Sequence, residues 1–564
     1  MHELIHKLIE RLPLDFRVLY RQFLLRVVDL ETLSIQADVT KFLGQFAGVL
    51  IMLSLVHSLI TYLGYTFTPE PQARLAFCWH LEHYLIATTM LVVGLFTVIS
   101  WDATFPDRRD VMVLSPLPIA PRTILFAKVS ASAAVLGIAI VTLNGASGII
   151  LPLLLGVQPG PALGFFQSFP AWWFTIVAAS AFLYCSVLTI QGFTSLLLPR
   201  RIFLRLSAIL QLAAFGLFLV VYFVQPSLTD PVSMADSQSR WILACSPTYW
   251  FFALFNQLNG SLPAQFGWIA FRAWIGLGIA VAGAASSLLL CYIHTMKKTV
   301  EEPDLVPGAG GFQWLPSFGN SLQTAIALFS IRSVTRSRQH RVAFAFYLAF
   351  VFGIALSMLR SELAATAPPP VSMDLLVPTF LMMFFAVAGL RNVFSLPISL
   401  TANWVLRTTQ LRPPEKYVAA TRRTLLLLAV VPVWFLSVAL SFSFRPFNQV
   451  AAHLVVLAML GCILVELSLI GFYKVPFTCS YLPGKSNIQL VFWGFVIVLI
   501  ALIIPCLELE LRALHDSSKF IFMLCFLGAL FWALWTINDH RARSAVIYFE
   551  EIPEPLITTL GLSA

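Results

Sequence analysis

Long apolar runs separated by short charged segments set the pattern of this chain. Twelve such runs occur, at about 42–64, 82–100, 126–150, 171–198, 202–224, 267–292, 343–359, 374–392, 424–444, 450–473, 488–507 and 519–538. Each is near the ~20 residues that carry a helix across a bilayer. None shows the alternation of a transmembrane barrel. The pattern predicts an all-α polytopic membrane protein of about 12 transmembrane helices. Ahead of the first run, Phe16, Leu19, Tyr20, Phe23, Leu24 and Val27 share one helical face, with Arg17, Arg21 and Asp29 elsewhere. That arrangement predicts an amphipathic helix at the membrane interface, or else a basic flank that orients the first span.

Between the sixth and seventh runs lies EEPDLVPGAGG, Glu301 to Gly311, whose acidic, proline and glycine content suits a linker. The expected organisation is a first six-span half over 1–300, a linker over 301–320 and a second six-span half over 321–564. Shifting the first half by 292 positions lays Leu114, Pro121 and Ala127 on Leu406, Pro413 and Ala419. Two six-helix pseudo-repeats with a pathway between them are therefore expected.

Composition agrees with a bilayer setting: 59% of residues are hydrophobic and only 11% charged, where a soluble domain carries about a quarter charged. The formal charge of +9 is explained by cytoplasmic loops rather than by nucleic acid, which is not an expected partner. With the N-terminus inside, 29 of the 36 Lys and Arg residues fall on segments of one side. The positive-inside rule then places both termini in the cytoplasm of a bacterial inner membrane. Eight cysteines are scattered singly, without the spacing of a zinc or redox motif; a Cys78–Cys245 pairing stays open.

Chemistry-bearing motifs are sparse. Gly484-Lys485-Ser486 resembles the end of a phosphate loop, yet Cys479 stands where the required glycine belongs, so the chain is not expected to bind ATP or to be an enzyme. No cofactor or metal site is expected in it. His57 and Glu466 are ionisable residues within runs, candidates for an intramembrane polar site, either as a proton relay or as separate helix–helix hydrogen bonds. Lys128, Arg391 and Arg272 lie at run ends, where they can snorkel. Gly276, Ala280 and Ala284 allow close helix approach in the sixth run. RWILACSPTYWFFALF, at 240–255, is apolar enough to dip back into the outer leaflet, as a gate or as an aromatic anchor.

The segment from Trp101 to Lys128 carries four charges at Asp107, Arg108, Arg109 and Asp110, then Leu114-Ser115-Pro116-Leu117-Pro118, Pro121 and Lys128. It resembles the cytoplasmic loop between the second and third spans of ABC-2-type transporter permeases. The resemblance covers most of residues 1–300 in its order of elements. It implies a permease subunit, here with both transmembrane halves fused, that exports substrate when separate ABC ATP-binding subunits, in two copies, hydrolyse ATP. It also implies that Asp107 to Asp110 with Pro116, Pro118 and Pro121 couple to the ATPase. The counterpart in the second half, with Arg407, Arg412, Pro413 and Glu415, lacks the acidic run. An ion-coupled secondary carrier, or a membrane scaffold or sensor that does not transport, is the alternative.

Overall fold

The computed structural model describes residues 13–28, 39–68, 70–100, 112–114, 116–157, 164–225, 231–236, 239–301, 321–363, 370–398, 403, 414–441, 444–472, 475–478 and 505–544. Among these, helices dominate and no β-sheet forms. Ten of the helices are long and apolar enough to cross a membrane, and each falls on one of the apolar runs. The fifth run forms a helix whose apolar part, Ile209–Val224, is shorter. The eleventh run, apart from its last three residues, lies outside the described residues, as does the linker from 302 to 320. The protein is an all-α multi-pass membrane protein. The chain divides into two compact units, one formed by 1–30 and 38–309 and the other by 31–37 and 310–564.

In the first unit, α1 (Leu14–Val28) precedes α2 (Val39–Phe67) and α3 (Pro71–Ile99). They are followed by α4 (Pro121–Asn144), α5 (Ser147–Val157), α6 (Phe165–Leu197) and α7 (Arg200–Val224). The short α8 (Pro247–Leu258) comes before the long last helix, α9 (Gly267–Glu301). Proline opens α3, α4 and α8 at the first turn, where its missing N–H costs no intrahelical bond. The third run does not continue as one helix: α4 ends at Asn144 and α5 restarts at Ser147. The Ser54 hydroxyl on α2 accepts the amides of Ala146 and Ser147 at 3.1 and 3.3 Å, which satisfies donors that the break would leave unpaired.

The apolar face of α1 packs within the unit. Leu19 and Phe23 are buried against Ile124, Ala127 and Ala131 of α4, with Phe16, Tyr20, Leu24, Leu114 and Ile119 packed around them. Lys128 does not snorkel; it is 2% exposed, with its ammonium over the Phe23 ring at 5.3 Å. The small residues of the sixth run also act as expected. Ala280 and Ala284 are buried, and a Cβ added to Gly283 would stand 2.8 Å from the Thr189 methyl of α6. Helix α9 therefore approaches α6 closely.

In the second unit, α10 (Ser321–Arg336) leads through Ser337 into α11 (Arg338–Leu363) and then α12 (Met373–Phe394). The next span is composite, built of α13 (Pro414–Leu425), a π-helical turn at Leu426–Val430 and α14 (Val431–Ser441). Pro432 stands two residues beyond that turn, at the second position of α14. A proline there lacks an N–H and would crowd the carbonyl four residues back, and the wider turn relieves both conflicts. After α15 (Phe447–Leu469), the described chain resumes with α16 (505–514) and α17 (Ser517–Ser544). Helices α12, α13, α15 and the π turn share one apolar core around Met383, Leu390, Leu425 and Leu457.

Candidate functional site

Buried polar side chains meet in each unit on the second and fourth spans and on helical residues ahead of the last span, at 247–258 in the first unit and 505–514 in the second. In the first unit this helix is α8. Its middle is apolar, and Phe251, Phe252, Ala253, Leu254 and Phe255 are fully buried. Within 240–255, Trp241 is exposed while the stretch 251–255 is packed inside the helix bundle. Helix α8 carries Asn256, whose Nδ2 donates to Glu82 Oε2 on α3 at 2.9 Å and to the Phe252 carbonyl at 3.1 Å. Asn256 Oδ1 accepts from Ser261 at 2.7 Å. On the α6 side, Ser168 donates to Asn259 at 2.6 Å and Gln167 to the Leu258 carbonyl at 3.0 Å.

Glu82 is 2% exposed and lies within the span from Ala73 to Ile99, about 14 Å along the helix from Ala73 at 1.5 Å per residue. The second run had been expected to begin at Glu82, which would have left the carboxylate at the interface. Instead α3 extends eleven residues further toward its N-terminus and carries the acid inward. Among the described residues no cation pairs with it. Beside it, His83 stacks on Tyr249 at 4.1 Å and its Nε2 lies 3.1 Å from the Thr248 hydroxyl. His57 meets the Tyr84 hydroxyl at 3.3 Å.

The second unit builds its polar chain from other residues. Thr379 of α12, His453 of α15 and Glu510 of α16 are all buried. His453 Nε2 lies 2.9 Å from Thr379 Oγ1 and its Nδ1 2.7 Å from Glu510 Oε1. The order hydroxyl, imidazole, carboxylate is that of a nucleophilic triad, here closed inside the bundle. The Thr379 hydroxyl also lies within donating distance of the Leu375 carbonyl, at 2.8 Å, and Thr379 is fully buried.

Glu466 belongs to a separate cluster at the opposite end of α15. Arg422 of α13 donates through Nη2 to Oε2 at 3.1 Å. Its Nε lies 2.5 Å from Oε1 as an ion-pair contact, without its N–H aimed at that oxygen. Asn538 of α17 donates to the same carboxylate at 2.9 Å and to the Glu466 backbone carbonyl at 2.8 Å. His57 and Glu466 therefore each have partners within their own unit.

Of the expected coupling residues, Asp107, Arg108, Arg109, Asp110, Arg407, Arg412 and Pro413 lie outside the described residues, as does Gly484-Lys485-Ser486. Pro116 and Pro118 are exposed in the turn before α4, and Pro121 opens that helix. Met112, Val113 and Leu117 stand 63%, 66% and 46% exposed beside them. Glu415 sits in the first turn of α13, 3.9 Å from Arg543 Nε of α17. Arg391 is held by the Ser468 carbonyl and Ser395 rather than reaching the interface alone. Cys78 is buried and Cys245 exposed.

Among the described residues no group of three or more His, Cys, Asp and Glu side chains could hold a metal ion. No protein-family model, no curated protein and no solved structure matches the chain.

Proposed function

We propose that this chain is the membrane permease of an ABC-type exporter, both transmembrane halves in one polypeptide, driven by separate ATP-binding subunits on its cytoplasmic side. One observation carries the reading: in each unit the segment after the second span is joined by packed side chains to the spans that would have to move. In the first unit Leu114 and Ile119 of the turn pack with α1 onto α4. In the second, α13 is tied to α15 and α17 through Arg422, Glu466 and Asn538. A partner pressing on either segment displaces helices, not a loose loop. The exposed Met112, Val113, Pro116, Leu117 and Pro118 offer a contact surface next to the charged run at 107–110.

Co-purification of the full chain with candidate ATPases tests this. The expected result is a complex with stimulated ATP hydrolysis, lost on charge reversal at Asp107 to Asp110. Recovery of no ATPase, or coupling that survives the reversal, rejects it.

The buried carboxylates favour a second reading, an ion-coupled carrier, because an ionisable group inside a bilayer is costly and usually has a task. In vesicles that reading expects uptake abolished by a protonophore and by Glu82→Gln or Glu510→Gln, with no need for ATP.

A further inference from the structure

Helix α10 bears a groove that neither transport reading uses. It encloses about 770 Å³ and is lined by Ala325, Leu328, Phe329, Arg332 and Arg336 along the helix and by Ile398 opposite. Its floor is carbon, with Phe329 46% and Ile398 47% exposed. At one end Arg332 and Arg336 stand one helical turn apart, both exposed, so their guanidinium groups can address one anion. Neither guanidinium makes an ion pair among the described residues, whereas nearby Arg422 and Arg543 are matched to Glu466, Glu415 and Asp539. Only Ser337 separates α10 from α11, whose spanning stretch begins at His340. The paired charges therefore sit within a turn or so of the membrane boundary.

We propose that this groove binds an anionic phospholipid, the phosphate between Arg332 and Arg336 and an acyl chain along Ala325, Leu328, Phe329 and Ile398. Arginine forks match phosphate oxygens two at a time, and the Ser333 and Ser337 side chains also line the groove. On the topology expected from the charge distribution, this face meets the cytoplasmic leaflet, where anionic lipids attract basic segments. A soluble anion would use the arginines but leave the carbon floor wet, and a neutral lipid would use the floor but not the paired charges. The inference stands apart from the identity of any ATPase or transported substrate.

Native mass spectrometry of the full chain, titrated in parallel with phosphatidylglycerol, phosphatidylcholine and inorganic phosphate, tests it, alongside the thermal stabilisation each provides. Phosphatidylglycerol is expected to bind and stabilise, with phosphatidylcholine and phosphate far weaker. Arg332→Gln and Arg336→Gln should each weaken phosphatidylglycerol by about five-fold without lowering the lipid-free melting temperature. Ala325→Trp fills the floor with both charges intact and should also weaken it. Equal binding of the two lipids, effective competition by inorganic phosphate, or retention unchanged in all three variants overturns the proposal. So does protection of the groove from phosphatidylglycerol by a bound ATPase, which would make it a protein-docking surface.

Discussion

Glu466 is 1% exposed and answers to a cation 44 positions away in sequence. Its presence in an apolar run was legible; its partner was not, because Arg422 sits at the mouth of another span and nothing local links the two. Glu466→Gln leaves the Arg422 guanidinium, whose side chain is only 14% exposed, without its counter-charge. Unfolding in detergent should then cost less by about 3–5 kcal/mol, whereas the double replacement Arg422→Met with Glu466→Leu should recover most of the loss. A single variant that melts with the parent protein would show the pair to be dispensable. At the surface, Asp516 accepts from the Ser518 hydroxyl and amide at the start of α17. The Ser518 hydroxyl, then Lys519 and the Ser518 amide, hold its carboxyl down at about 2, below its ordinary 3.8. A depressed acid stabilises the fold above its unfolded value, and that contribution fades as pH falls from about 4 toward 2. Asp516→Asn should flatten this part of the melting-temperature profile; an unchanged profile would remove the assignment.

Period-3.6 patterning made α1 readable, because one side of it is apolar and the other charged. The packing of α8 was not legible, because its aromatics look the same in sequence whether they face lipid headgroups or a bundle. Helix boundaries were also displaced: α3 begins well before its apolar run, and its Trp79 and Glu82 meet Phe252 and Asn256 of α8, which sequence does not place beside them. Close approach of elements gives the sharpest forecast here. A Cβ on Gly389 of α12 would lie 2.7 Å from Tyr347 Cβ on α11, and no side-chain rotation relieves that contact. Gly389→Ala should push the two helices apart at a cost of about 1–3 kcal/mol, read as a lower melting temperature; a neutral effect would mean the pair slides freely. Phe23→Ala on α1, which empties the contact with Lys128 and Ala127, should loosen α1 first, seen as faster hydrogen exchange over 14–28 than over α4. Equal exchange in both would contradict separate packing of α1.

Each unit contains its own buried clusters, around Leu19 and Ile124 or Leu188 and Ala284 in the first and around Met383 and Leu457 or Leu375 and Phe444 in the second. A protease site inserted in 302–320 should therefore yield two fragments that stay membrane-bound and helical after cleavage, checked by flotation and circular dichroism. Loss of helicity in either fragment would show that one unit depends on the other. The division into two sets of spans was visible in the distribution of apolar runs and charge. The polar chains were not, since they are assembled from residues such as Glu82 and Asn256 that lie 174 positions apart. These chains occupy matching places in the order of elements yet draw their acid from different helices, α3 in one and α16 in the other. The halves are consequently not interchangeable parts. A gene built from two copies of residues 1–309 would encode two Glu82–Asn256 pairs and no Thr379–His453–Glu510 arrangement, so any task that rests on that buried trio would be lost even in a protein that folds.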